Sequence, residues 1–412
     1  MDEIIEDFKR ELFGEDAKLT EIQQIHVTIT LLDDQLRRKK GYTDEQKSKM
    51  LEILFDHAEE LETEVDKVMP AEDSPNFIKY RVIKAYTFYV RGYLSCGSTI
   101  IHEDLKFLEQ AMEILKPIKL THEALYYYYL VLHCFASIYK NTEEKNKVYE
   151  FLKEQEETLE AFKEKFPDCV HKKYGNQILF DTIVNFDKTF TQLMYTSKVE
   201  MFGYYQKIAC DKEMALKYAL EVVFAFDTHI NGDATTSQSV VNFISLLYDA
   251  LHLFIAEFCF PQLNHFLAVI FFQLVKYRRT LPEDKKHEID EAMGDLSQLY
   301  ADWAYEIVDY SLKWRYDKAA FEKKHPIDQK VVILEKFVEP GVEAYANQFP
   351  CEPIVYREDI MKTLRKGKAW CQRAIDLYEV CPEKQSTTKM QMDGFNLGLN
   401  CFKTIDLPER GS

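Results

Sequence analysis

The stretch Ser237–Arg279 constrains this chain most. Val240, Ile244, Leu247, Leu251, Phe254 and Phe258 recur at steps of three and four, and Leu263, Leu267, Ile270, Leu274 and Tyr277 repeat the pattern beyond Pro261. That spacing is the period of one helix face. Pro261 falls where its missing N–H and fixed φ do no harm, at the start of a helix. Both segments are apolar well beyond one stripe, so each needs neighbours on more than one side. A membrane hairpin would need an uninterrupted apolar span of about 20 residues, and Glu257, Pro261, Gln262, Asn264 and His265 break the run. The stretch is expected to be a buried helical pair within a larger all-helical stack.

Composition agrees. The 412 residues include only 13 glycines and 12 prolines, well below the ~7 % and ~5 % of average usage. Few helix breakers, with 25 tyrosines and 28 phenylalanines, suit broad helix–helix packing. At this length several units or an extended array are expected rather than one core. The nine cysteines form no CxxC pair, and the start MDEIIEDFKRELFG carries no signal peptide; free thiols in a reducing cytoplasm are expected. A net charge of −17 argues against nucleic acid or an anionic membrane as partner and for a basic protein surface, unless it serves only solubility.

Along the chain, residues 1–70 read as an N-terminal helical segment, with helices over Asp2–Phe13, Leu19–Lys39 and Asp44–Val68. Thr43 and Gln46 have capping-box spacing. Seven carboxylates between Glu52 and Asp66, with no Lys or Arg among them, form either a solvated face or a docking surface for a basic partner. Residues 71–280 are expected to hold helical pairs: Asn76–Ser95 with His102–Leu115, Thr121–Lys140 with Glu143–Lys165, Phe180–Ala209 with Lys212–Phe226, then Ser237–Arg279. Residues 281–320 should form one long bracing helix, with Thr280 and Glu283 as its capping box and Ile289, Met293, Leu296, Tyr300, Trp303, Ile307, Tyr310 and Trp314 on one seam. Residues 321–412 read as C-terminal helices, near Lys330–Phe349 and Arg357–Val380, with a flexible tail at LPERGS.

Pairs in series invite a search for a repeat. The tetratricopeptide (TPR) pattern alternates large and small residues so that the second helix approaches the first closely. Phe202 and Gly203 followed by Ala215, Ala219 and Val222 fit it; so do Phe135 and Ala136 before Val148 and Leu152, Leu251 and Phe254 before Leu263, Leu267 and Ile270, and more weakly Phe88 and Gly92 before Leu108 and Ala111. The registers lie about 44, 67 and 48 residues apart, against 34 for a regular tandem array. The expected fold is therefore all-α: a lengthened TPR-like α-solenoid of antiparallel helical pairs with one concave face. First-helix positions not used for packing should line that face. In this register they are Ser197, Glu200 and Tyr204, then Ser245, Tyr248 and His252, where tyrosine and a carboxylate suit capture of a basic partner.

The segment HEDLKFLEQAMEILKPIKLTHEALYYYYLVLHCFASIYKNTEEKNKVYEFLKE resembles the early repeats of the kinesin-binding protein (KIF-binding protein) family. FGYYQKIACDKEMALKYAL and FIAEFCFPQLNHFLAVI resemble its central repeats, and LYADWAYEIVDYSL its long dividing helix. The resemblance is gapped, spans residues 80–316 and fades toward residue 400, as in a shortened or divergent member. It implies a cytoplasmic, cytoskeleton-associated, non-enzymatic regulator that grips kinesin motor domains over their microtubule-binding face.

Signatures of catalysis are missing. There is no GxxxxGK[ST], GxSxG, HExxH or GxGxxG. Asp33-Asp34 lacks the third aspartate of a metal–diphosphate helix, Glu322–His325 has no second copy, and His252, Cys259 and His265 have no compact zinc spacing. No catalytic residue, cofactor, metal, nucleic acid, membrane insertion or small-molecule substrate is expected. Two other readings stand beside motor binding: a TPR-type adaptor for another basic protein or peptide, and an all-helical enzyme with a dispersed site.

Overall fold

A computed structural model describes residues 20–38, 43–95, 102–174, 188–230, 251–252, 255, 260–320, 345, 348–350, 352–405 and 407–409. The chain divides into two compact units, Met1–His229 and Ile230–Ser412.

The first unit runs α1 (Glu21–Arg38), α2 (Asp44–Val68), α3 (Phe77–Ser95), α4 (His102–Leu115), α5 (Leu125–Tyr139), α6 (Lys145–Lys165), α7 (Phe190–Lys207) and α8 (Lys212–Ile230). The helix expected at Asp2–Phe13 lies outside the described residues. Helix α2 begins where its capping box places it: the Gln46 N–H donates to Thr43 Oγ1 at 3.2 Å, and the Thr43 N–H donates to Gln46 Oε1 at 2.9 Å. Its Leu54, Ala58, Leu61 and Val65 are fully buried. Of its acidic run, Glu62 pairs with Arg91 and Asp66 with Lys84 on α3, while Glu52, Asp56, Glu59 and Glu60 face solvent.

Each helix from α1 to α6 packs on the next in chain order, and α3 also touches α5. Two helices that skip a neighbour meet when pairs stack on pairs. The shared core holds Tyr86, Tyr89, Tyr127, Tyr128 and Phe135. Gly92 is where α3 and α4 approach most closely, since a Cβ there would lie 2.7 Å from Leu108 Cγ and 3.1 Å from the Leu108 backbone nitrogen. Gly203, expected at the equivalent close approach on α7, differs: a Cβ there would meet nothing within 4 Å. Its register is filled by Phe202, Ala215, Ala219 and Val222, all buried, without needing the glycine.

Helix α7 starts ten residues later than its expected position. Thr189 and Gln192 form a capping box there (2.8 and 3.2 Å), and ahead of it Lys173–Tyr174 pairs antiparallel with Lys188–Thr189. This two-residue ladder departs from the expectation of helix alone. Tyr174 packs beside Phe162 and Phe190, so the ladder closes the end of the α5–α7 core.

The second unit runs α9 (Phe260–Thr280), α10 (His287–Tyr316), α11 (Arg357–Leu377) and α12 (Pro382–Cys401). On α9 Leu263, Leu267, Ile270 and Leu274 are buried as their spacing requires, as is Leu251 from the preceding segment. Val240, Ile244, Leu247, Phe254 and Phe258 lie outside the described residues. Helix α10 is 30 residues long and buries its seam from Ile289 to Tyr310. Thr280 does not cap it; that residue closes α9, and Glu283 pairs with Lys286 at 2.5 Å instead of reaching back. Helix α12 had no sequence expectation of its own. It docks through Lys384 on Asp295 and Glu291, Gln391 on Asp302, and Phe395 on Tyr305. Of the tail expected to be loose, residues 407–409 are held: Leu407 is 6 % exposed, Pro408 O accepts from the Arg357 N–H at 3.0 Å, and Glu409 pairs with Arg357; the rest lies outside the described residues. Among the described residues no helix is long and apolar enough to cross a membrane. The described cysteines, Cys134, Cys169, Cys210, Cys371, Cys381 and Cys401, are free thiols.

Candidate functional site

Helix α5 is buried nearly all round. Leu125, Tyr127, Tyr128, Tyr129, Val131, Leu132, Cys134, Phe135, Ala136 and Ile138 are enclosed, so three rings of the tyrosine run 126–129 serve the core. Tyr126, Leu130, His133 and Ser137 are half-exposed. Their steps of four, three and four place them on one face, which is the side of α5 open to solvent.

Helix α7 lies beside that face, carrying three of the sequence-predicted site residues, and only Tyr204 has the expected exposure. Ser197 is 1 % and Glu200 8 % exposed, so both are enclosed rather than lining an open surface. The sequence pattern places them on the first helix of a pair but cannot show how closely α5 approaches. Glu200 Oε1 pairs with His133 Nδ1 at 2.5 Å. Its Oε2 and the Ser197 hydroxyl are buried without a hydrogen-bond partner. Two more such oxygens, Gln155 Oε1 and Thr158 Oγ1, lie on α6, where the Gln155 amide donates to Tyr129 O at 3.4 Å. Burial drives the Tyr129 hydroxyl well above the usual phenol range, and the Glu200 charge adds to it.

Tyr204 is half-buried in a group of rings. Its centroid lies 5.6 Å from Tyr149 and 5.2 Å from Tyr205, which lies 5.3 Å from Tyr218. Burial and a hydrogen bond with Tyr149 push the Tyr205 hydroxyl up to about 12. Next to the same rings, with its ammonium 5.6 Å over Tyr218, Lys198 sits among Glu156, Glu221 and Glu160. Burial pulls its ammonium down, but the Glu156 and Glu221 hydrogen bonds outweigh that and hold it above its ordinary value.

Of the other three predicted residues, His252 is exposed and belongs to the second unit. Ser245 and Tyr248 lie outside the described residues, as does Cys259. His133 carried no sequence signal, because a histidine in an apolar helix reads as core. Among the described residues no group of three or more His, Cys, Asp or Glu is placed to hold a metal ion. What α5 and α7 present is a half-exposed stripe of mixed character beside an enclosed carboxylate with unused acceptor capacity. The chain matches no protein-family model, no curated protein and no solved structure.

Proposed function

We propose that this chain is a non-enzymatic interaction protein whose helical pairs form a TPR-like solenoid. Its concave acidic side binds kinesin motor domains and keeps them off microtubules. Glu200 carries the reading: it is an enclosed carboxylate with no Lys or Arg on it among the described residues, on a helix the repeat register assigns to the concave side. Such a group is costly to keep unless something binds it. Stacked packing of α3, α4 and α5, close enough to require Gly92, supports the repeat. The net charge of −17 supplies attraction for a basic surface. A kinesin's track-facing surface is basic because the microtubule exterior is acidic, so an acidic groove competes for it.

The test is direct binding of purified kinesin motor domains to the immobilised chain. Association should slow as salt rises, since exposed charges are screened beyond ~8 Å at physiological ionic strength. Absence of saturable binding by any motor domain would overturn the motor assignment. Binding of other basic proteins in their place would identify an adaptor with a different partner.

A further inference from the structure

We propose that Glu200 is the floor of a cation-recognition site, taking the guanidinium or ammonium head of an incoming group in place of His133. Among the described residues Glu200 is the least exposed carboxylate, and it lacks a strong cation. Other carboxylates of the same unit have one: Arg91 holds Glu62 at 2.8 Å, Lys119 holds Glu154 at 3.2 Å, and Lys198 serves Glu156 and Glu221. Burying a carboxylate costs several kcal/mol unless its lone pairs are used, and here one oxygen has no hydrogen bond at all. Glu200 Oε2 and Gln155 Oε1 can only accept, and the hydroxyls beside them, Ser197 Oγ, Thr158 Oγ1 and Tyr129 Oη, can donate but carry no charge, so what the α5–α6–α7 junction lacks is a cation. A guanidinium brings five N–H donors and an ammonium three, each with the charge that Glu200 needs. Water brings donors without charge.

Entry is from the His133 side. The His133 side chain is 40 % exposed against 9 % for Glu200, so the imidazole is the solvent-facing partner and the one able to move. It stands in the open stripe with Tyr126, Leu130 and Ser137, which gives the alkyl stem behind a cationic head a partly apolar face to lie on. The inference deepens the interaction reading by naming what its anchor recognises, and its test uses no motor.

The full chain is titrated with methylguanidinium chloride, and separately with methylammonium chloride, with sodium chloride keeping ionic strength constant. The backbone amide NMR signals of α5 and α7 are followed in the native chain and in every variant. Saturable shifts in the millimolar range are expected, weakened at least tenfold in Glu200→Gln and strengthened severalfold in His133→Gln, which removes the resident competitor. Glu156→Gln should leave binding unchanged. An arginine-containing tetrapeptide binding tenfold tighter than spermidine identifies a protein side chain as the source; the reverse identifies a polyamine. Superimposable titrations of the native chain and Glu200→Gln overturn the proposal, as do shifts reproduced by sodium chloride. If Glu200→Gln fails to fold, unchanged or weaker binding by His133→Gln overturns it instead. Cation binding without motor capture removes only the motor partner, and motor capture that survives Glu200→Gln removes only this site.

Discussion

Alanine at Gly92 and at Gly203 should act in opposite directions although both glycines are helical. At Gly92 the new Cβ would sit 2.7 and 2.9 Å from Leu108 Cγ and Cδ2 and 3.1 Å from the Leu108 backbone nitrogen. Leu108 is fully buried, so its side chain has little room to turn, and the nitrogen yields only if α4 moves. Overpacking of this kind costs about 1–3 kcal/mol. At Gly203 nothing lies within 4 Å, so Gly203→Ala gains the helix propensity of alanine over glycine, about 0.8–1.0 kcal/mol. Gly92→Ala gains the same amount, so that contribution cancels in the comparison. The two variants should therefore differ by about 1–3 kcal/mol, with Gly203→Ala above the native chain. Urea unfolding followed by far-UV circular dichroism gives both values. If Gly92→Ala is as stable as Gly203→Ala, the close approach of α3 and α4 is wrong.

Burial raises the Asp302 carboxyl to about 6, while the Gln391 amide bonded to it partly offsets the rise. A raised carboxyl favours the neutral form in the fold, so its charge destabilises at neutral pH, and stability returns as pH falls from about 7 toward the unfolded value near 4. Asp302→Asn should stabilise by up to ~3 kcal/mol at pH 7.5 and by little at pH 4.5, checked by unfolding at both. Lys198→Met strands the largely enclosed Glu156 and should cost about 3 kcal/mol; adding Glu156→Gln should recover part of that loss by the same measurement. Arg357→Ala removes the grip on Ile405 O and Glu409, so amide exchange over residues 403–409 should quicken while α10 is unaffected.

Periodicity made much of the fold legible. The seams of α9 and α10 are apolar at helical steps, and burial follows them from Leu263 to Leu274 and from Ile289 to Tyr310. Helix α12 was illegible because its docking is largely polar: Lys384, Thr388 and Gln391 face Asp295, Gln298 and Asp302, and of its apolar side chains only Phe395 is buried. Thr189 and Gln192 spell the same signature as Thr43 and Gln46, but the apolar residues ahead of them extend the pattern and conceal the start. Thr280 and Glu283 show the converse, a signature overridden when Glu283 finds Lys286 and Arg278 ties to Asp290. At the candidate site the sequence supplied Glu200 and Tyr204 but not the enclosure of Glu200, which depends on how close α5 lies. It gave no sign of His133, whose role exists only once α5 and α7 meet.

The most direct measurement is co-sedimentation of purified kinesin motor domains with microtubules, with and without this chain at micromolar excess. The account predicts that at least one motor moves from pellet to supernatant as the chain is added. That displacement should weaken when Glu200, Tyr204 and Tyr248 are replaced together in a variant whose circular dichroism is unchanged. Motor domains that stay with the microtubules at every concentration would contradict it.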